Sequence, residues 1–243
     1  MNVLYLTREY PPHVYGGAGV HIEHLAREMA RLETVRVLCF GEQDAPEANP
    51  AVRGLPYGDG LFAGAASRAR GALAALETNL RMTATEPDAD VVHCHTWYSH
   101  FAGILARQAL GIPLVITVHS LEPLRPWKRE QLGRGYDLSC WIERQALEMA
   151  DAVIAVSKHD HAALLELFDL DPARVSVVPN GIDADVYTPR HDPEVLRGYG
   201  VDPDVPYVLF LGRITRQKGI GHFLAAARRL PTDVQVVICA GDA

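Results

Sequence analysis

Short runs rich in β-branched residues alternate with stretches of helical periodicity along most of the chain, and no other feature constrains the fold as strongly. The runs are Val3 to Leu6, Val35 to Phe40, Val91 to His93, Leu114 to Val118, Ala152 to Val156 and Val175 to Val178. Strands of that length with helices between them predict an α/β protein built on a parallel, doubly wound, Rossmann-like sheet. Between the first two runs, Ile22, Leu25, Ala26, Met29 and Ala30 recur at helical spacing, while Glu23, Arg27, Glu28 and Arg31 take the other face. Such a helix packs one side on the sheet and gives the other to water. The Ala-rich stretch from Ala63 to Ala75, with Leu73, Leu76 and Leu80, predicts another ordinary helix.

The pattern breaks after Pro179-Asn180-Gly181-Ile182-Asp183. The chain then passes through Thr188-Pro189-Arg190-His191-Asp192-Pro193, which is turn-rich and has little apolar periodicity. A fresh strand follows at Tyr207 to Leu211. The expected division is therefore a complete domain over 1–187 and a second unit over 188–243. That second unit offers one strand, a helix from Gly219 to Leu230 and a strand from Val234 to Ala240. A doubly wound domain takes on the order of 100 residues or more, so 188–243 reads as the βαβ beginning of one, in a truncated chain.

At 243 residues and 48% hydrophobic content the chain can bury a real core. Its net charge of -7 argues against a nucleic-acid-binding surface, which needs clustered cations. Any anionic ligand must be held locally. The start lacks a basic leader and no segment reaches membrane-spanning length, so a cytoplasmic protein without a membrane span is expected. Cys39, Cys94, Cys140 and Cys239 stand singly with no C-x-x-C pair, and buried, inert thiols are expected.

Three clusters carry chemistry. The loop Glu9-Tyr10-Pro11-Pro12-His13-Val14-Tyr15-Gly16-Gly17-Ala18-Gly19 opens directly into a helix, where backbone N–H groups and the helix dipole attract an anion. Gly17-Ala18-Gly19 also imitates the start of a dinucleotide fingerprint. However, Ile22 stands where the third glycine belongs, and the glycines come a full loop after the strand, so a nicotinamide or flavin is not expected. The second cluster lies at carboxyl ends of strands, in His93-Cys94-His95-Thr96-Trp97-Tyr98 and Thr117-Val118-His119-Ser120, where open α/β sheets bind ligands. His93, His95 and His119 invite a metal triad, yet nothing in the sequence fixes them on one face and no carboxylate accompanies them at ligand spacing. No metal and no cofactor are expected. In the third cluster, Gly212-Arg213-Ile214-Thr215-Arg216-Gln217-Lys218-Gly219, Arg213 and Lys218 place two cations beside a helix start, which suits a diphosphate.

In this order, six segments resemble the retaining two-Rossmann-domain (GT-B) glycosyltransferases, a family with sucrose synthases, mannosyltransferases and bacterial glycogen synthases among its members. They are Glu9-Tyr10-Pro11-Pro12 with Gly16-Gly17, His93-Cys94-His95-Thr96-Trp97, Thr117-Val118-His119, Ala152-Val153-Ile154-Ala155-Val156-Ser157, Val178-Pro179-Asn180-Gly181-Ile182-Asp183, and Gly212-Arg213 with Gln217-Lys218-Gly219. The nearest likeness is to the short actinobacterial glycogen synthase type, which resembles enzymes making α-maltose 1-phosphate from ADP-glucose and glucose 1-phosphate. Val14 stands where larger starch and glycogen synthases carry a lysine, and His95-Thr96-Trp97 replaces their His-Asp-Trp, so lysine-based donor recognition is not carried over.

The resemblance implies a glucosyl donor that is a nucleotide-diphosphate sugar, ADP- or UDP-glucose, and an α-glucan or sugar-phosphate acceptor. It implies catalytic roles for His95, His119, Arg213 and Lys218, with Gly16 and Gly17 joining Arg213 and Lys218 at the donor phosphates. Glu9, His13, Tyr15 and Trp97 fall on the acceptor side. His95 and His119 would lie beside the donor glucose, and Arg213 and Lys218 would face the Gly16-Gly17 loop across a cleft. A homo-oligomer is compatible with it. The family's acidic motif would lie past Ala243, so the chain as given is expected to be inactive. Competing readings are a mannosyltransferase or other hexosyltransferase, a hydrolysing nucleotide-sugar epimerase, and a sugar-binding relative without turnover.

Overall fold

The computed structural model describes residues 1–65, 68–85, 88–190 and 192–240. The chain divides into two compact units, Met1–Gly181 and Ile182–Ala243. The division falls six residues before the 187/188 boundary read from the sequence.

The first unit runs β1 (Asn2–Thr7), α1 (Gly17–Met29), β2 (Thr34–Phe40), β3 (Asp44–Ala45), β4 (Ala51–Leu55), α2 (Arg70–Thr83), β5 (Val91–His95), α3 (Trp97–Leu110), β6 (Leu114–Val118), α4 (Lys128–Leu132), α5 (Gly135–Met149), β7 (Ala152–Ala155), α6 (Lys158–Leu167) and β8 (Val175–Val177). Among the described residues its strands form one eight-stranded sheet ordered β3-β4-β2-β1-β5-β6-β7-β8. Every neighbouring pair is parallel except β3 with β4. The expected α/β architecture is present, and all six expected strands form. The third extends two residues further than expected and so carries His95 at its very end.

The pleat sorts the strand residues into two cores. Leu4, Leu6, Leu38 and Phe40 point to the face covered by α2, α3 and α5, with Ala72, Ala102, Ala106, Ile142 and Ala146 packed against it. Val3, Tyr5, Val35, Val37 and Cys39 point to the opposite face, where Ile22 and Ala26 of α1 close over them. Both contacts of α1 are the ones its periodicity anticipates.

β3 and β4 have no signature in the sequence. β4 reads Ala-Val-Arg-Gly-Leu between prolines, a poor strand by propensity. It pairs because Gly54 lacks a side chain: a Cβ there would come within 2.0 Å of the Gly41 carbonyl oxygen. The helix expected from Ala63 starts at Arg70, and residues 66–67 lie outside the described residues.

The second unit holds α7 (Pro193–Gly198), β9 (Tyr207–Leu211), α8 (Ile220–Ala227) and β10 (Gln235–Cys239). β9 and β10 pair in parallel as their own two-stranded sheet and do not join the first. α8 and β10 are shorter at both ends than the Gly219–Leu230 helix and Val234–Ala240 strand expected. His191, in the expected linker, lies outside the described residues.

The thiols correct one expectation. Cys39 and Cys94 are buried, but Cys140 on α5 is only half-buried and Cys239 on β10 is exposed. No described helix is long and apolar enough to cross a membrane.

Candidate functional site

The carboxyl ends of β1, β5 and β6 lie side by side, since Thr7 pairs with His95 and His95 with Thr117. This register converts three separate sequence motifs into one site. His95 closes β5 and is fully buried. Its Nδ1 lies 3.0 Å from Nε2 of His119, the residue that follows β6, and the two rings stack with centroids 5.3 Å apart. His93, two residues earlier on the same strand side, stacks on His95 at 4.5 Å. Its Nε2 is 2.7 Å from the Thr117 hydroxyl. Tyr5 lies beneath both rings, and burial pushes its hydroxyl up to about 12.

A fourth imidazole, His21 of α1, packs edge-on against His119 at 4.8 Å and lies 5.7 Å from His95. Sequence reasoning missed it. His21 lies one residue before the core-facing Ile22, and its helical spacing marks only a flank of the buried stripe. One ring nitrogen from each of His21, His95 and His119 lies within 4.8 Å of the others. The trio is therefore not the His93, His95 and His119 set considered from sequence, because His93 turns to Thr117.

Burial is the main reason these rings are neutral. It holds His119 down to about 4, with His21 adding repulsion, and it holds His95 well below the ordinary range, with His93 and His119 adding to the effect. His93 is lowered to about 3 and His21 is lowered too, burial being the first cause in each. Several nitrogens are buried without a partner: His21 Nε2, His95 Nε2 and both of His100 on α3. Buried polar atoms are nearly always satisfied, so this group of imidazoles stands apart from the rest of the core.

The backbone is strained at the same spot. Thr96, between β5 and α3, has φ 65 and ψ 154, a conformation a β-branched residue rarely adopts and one that costs about 1–3 kcal/mol. Ser99 holds the turn, its hydroxyl donating to the carbonyls of Leu6 and His95. Asn79 of α2 braces α3 from behind: its Nδ2 donates to the Tyr98 carbonyl and its Oδ1 accepts from Ala102 N–H.

In the glycine loop, Glu9 Oε2 accepts from the N–H groups of Tyr15 and Gly16, at 2.9 and 2.8 Å. The Gly16 N–H therefore faces the protein's own carboxylate in this structure. Glu9 in turn is a brace for the loop. Gly17 and Ala18 begin α1 and have N–H groups with no helical acceptor. Gly17 has open space around its Cβ position. The glycine that packing demands is Gly19, where a Cβ would lie 2.9 Å from Glu9 Cβ and Oε2. His13 and Tyr15 are exposed on this loop. The Trp97 indole is 3% exposed, packed in the core and stacked on Tyr98 at 4.2 Å.

A second polar cluster follows β6 and was not anticipated. Buried Glu122 accepts from Lys128 Nζ at 2.6 Å, from Ser139 Oγ at 3.1 Å and from Arg125 at 3.4 Å. Its backbone N–H donates to Glu143, whose carboxyl burial and Glu122 together raise to about 8. Arg125 also donates to Ser120, next to His119, while its own buried Nε has no partner. Arg8, just past β1, sits 4.2 Å over the Tyr98 ring. Pairs spread over twenty residues of loop and helix leave no periodic trace, which is why sequence reading passed over them.

In the second unit, β9 leads into the Gly212–Gly219 turn. Thr215 caps a short 3-10 turn that carries Lys218, which is exposed, and Gly219 at φ 77 opens α8. Arg213 is half-buried at the strand end. Both cations therefore flank the start of α8.

An α/β chain with a completed Rossmann-like parallel sheet, a second unit begun, and its polar groups gathered at strand carboxyl ends has the fold of the GT-B glycosyltransferases. The pattern of Glycosyltransferase Family 4 matches residues 15–186, and the chain belongs to that family. It is 50% identical over 245 residues to an α-maltose-1-phosphate synthase from Mycolicibacterium smegmatis, an alignment covering 99% of this chain and 61% of that protein. The chain thus spans about three-fifths of that relative. Among solved structures it is similar to sucrose-phosphate synthase from Thermosynechococcus elongatus, with TM-score 0.75 and 19% identity over 99% of this chain and 63% of that one. Anabaena HepE in complex with UDP and glucose gives TM-score 0.76 and 19% identity over 100% and 62%.

Proposed function

We propose that the protein carrying this chain is a retaining glucosyltransferase that moves glucose from ADP-glucose, or UDP-glucose, to glucose 1-phosphate, with an α-glucan as the competing acceptor. The observation that carries this reading is the 50% identity, over nearly the whole chain, to a relative named for making α-maltose 1-phosphate. The geometry supports it. His95, buried, and His119, half-buried and 3.0 Å away, are held toward the neutral form, which suits the hydroxyls and developing positive charge of a donor sugar better than imidazolium would. Arg213 supplies a planar fork and Lys218 a point charge to a departing diphosphate, whose negative charge grows as the sugar–oxygen bond breaks.

A sugar-phosphate acceptor is favoured over a polymer by two cations near Tyr98. Burial raises the Tyr98 hydroxyl's pKa while Arg8 and Arg125 oppose that rise, and Arg125 Nε is a buried donor in want of an acceptor. A phosphate oxygen would satisfy it.

The test is a donor screen on the protein at the full length of its relatives. ADP-glucose and UDP-glucose are offered with glucose 1-phosphate or a short maltooligosaccharide, and the anomer is read by NMR. The expected product is α-maltose 1-phosphate. A mannosyl product, simple hydrolysis or inverted configuration would overturn the reading.

A further inference from the structure

We propose that the imidazoles of His21, His95 and His119 form a binding site for a late first-row divalent cation, with Zn²⁺ as the metal they suit best. Three residues from three elements, α1, β5 and the turn after β6, each bring one ring nitrogen to within 4.8 Å of the other two. Zinc bonded to imidazole at about 2.0–2.1 Å holds tetrahedral ligand atoms roughly 3.3 Å apart. His95 and His119 already stand close to that spacing at 3.0 Å. The remaining adjustment falls to His21, a half-buried side chain on the flank of α1.

A second observation points to a ligand independently of the spacing. His95 is fully buried and its Nε2 has no partner. The Nε2 of half-buried His21 is itself buried and has no partner. Inside a protein such nitrogens cost free energy until something binds them. Neutral nitrogen donors without a thiolate or carboxylate select zinc, copper, nickel and cobalt over magnesium or calcium. Three protein ligands leave one tetrahedral position open to water. Binding replaces the His95–His119 hydrogen bond, because both facing nitrogens cannot keep a shared proton and also coordinate.

One consequence rests on the reading under Proposed function, whereas the site itself does not. If His95 and His119 meet the donor sugar, an occupied metal site and a bound donor exclude each other, and zinc acts as an inhibitor competitive with nucleotide sugar.

The site is tested without any activity measurement by titrating the 243-residue chain with Co²⁺, whose visible d–d absorption reports nitrogen coordination, and then displacing it with Zn²⁺. One Co²⁺ per chain with intense absorption, lost on zinc addition, is expected. His21→Ala and His119→Ala should each weaken Co²⁺ binding by at least about tenfold, with far-UV circular dichroism unchanged. His24→Ala, an exposed histidine on the same helix, should bind as the unaltered chain does. Absence of Co²⁺ uptake, or equal affinity in the His21→Ala, His119→Ala and unaltered chains, would overturn the proposal.

Discussion

The first unit buries two polar clusters within one sheet's carboxyl edge, and they are completed in opposite ways. Around Glu122 both carboxylate oxygens are met by this chain's own Lys128, Arg125 and Ser139, and one oxygen of Glu143 by the Glu122 N–H, with Arg125 Nε as the atom of that cluster left without a partner. Around His95 the imidazoles meet one another but leave His21 Nε2 and His95 Nε2 unpaired, and the adjoining Thr96 is strained. A cluster that satisfies itself holds the loop after β6 in place. A cluster that does not carries a cost in stability that folding elsewhere must offset, and under the proposed function the donor sugar is what completes it.

The sharpest way to break this contrast is to remove a partner from the satisfied cluster. Glu122→Ala leaves the Lys128 ammonium buried without its counter-ion, and chemical denaturation should show a loss of about 3–5 kcal/mol. A loss below about 1 kcal/mol would mean that water already completes this cluster. His95→Ala in the full-length protein should do the reverse. Turnover should fall by about two orders of magnitude, near 2.7 kcal/mol of transition-state stabilisation, while the protein stays folded. Near-normal turnover would make the histidine cluster as structural as the other.

The clusters also part in their response to pH. Glu143 is raised to about 8, so the folded state holds its proton across a range where the unfolded chain, with an ordinary carboxyl near 4.5, has lost it. Its stabilisation is complete below that unfolded value and fades as pH climbs toward 8, with a slope approaching 1.4 kcal/mol per pH unit. Glu143→Gln should flatten that slope in denaturation curves taken between pH 5 and 8. An unchanged slope would move the proton elsewhere. The smallest effect concerns the loop bordering the histidines. Gly19→Ala, pressing on Glu9, should cost about 1 kcal/mol, against a few tenths for Gly17→Ala, where the space is open. Equal costs would show that Glu9 does not brace the loop.

The strand–helix alternation, the six strands, the face of α1 that packs on the sheet and the placing of His95 and His119 at strand ends were all legible in the amino-acid order. Each is a local pattern repeated with a period of 2 or 3.6 residues, or a motif lying next to one. What tertiary structure alone decided is contact across long separations. The register Thr7–His95–Thr117 brought two histidine motifs together, the rotation of α1 added His21, the packing of α5 against the loop after β6 joined Glu143 to Glu122, and the approach of Glu9 made Gly19, not Gly17, the glycine whose replacement presses on a neighbour. β4 formed against its own propensity for the same reason, because β2 offered it a paired edge. Local periodicity says which side of an element is buried. Which atoms meet there depends on the angle and register at which elements pack, and no stretch of sequence encodes that by itself.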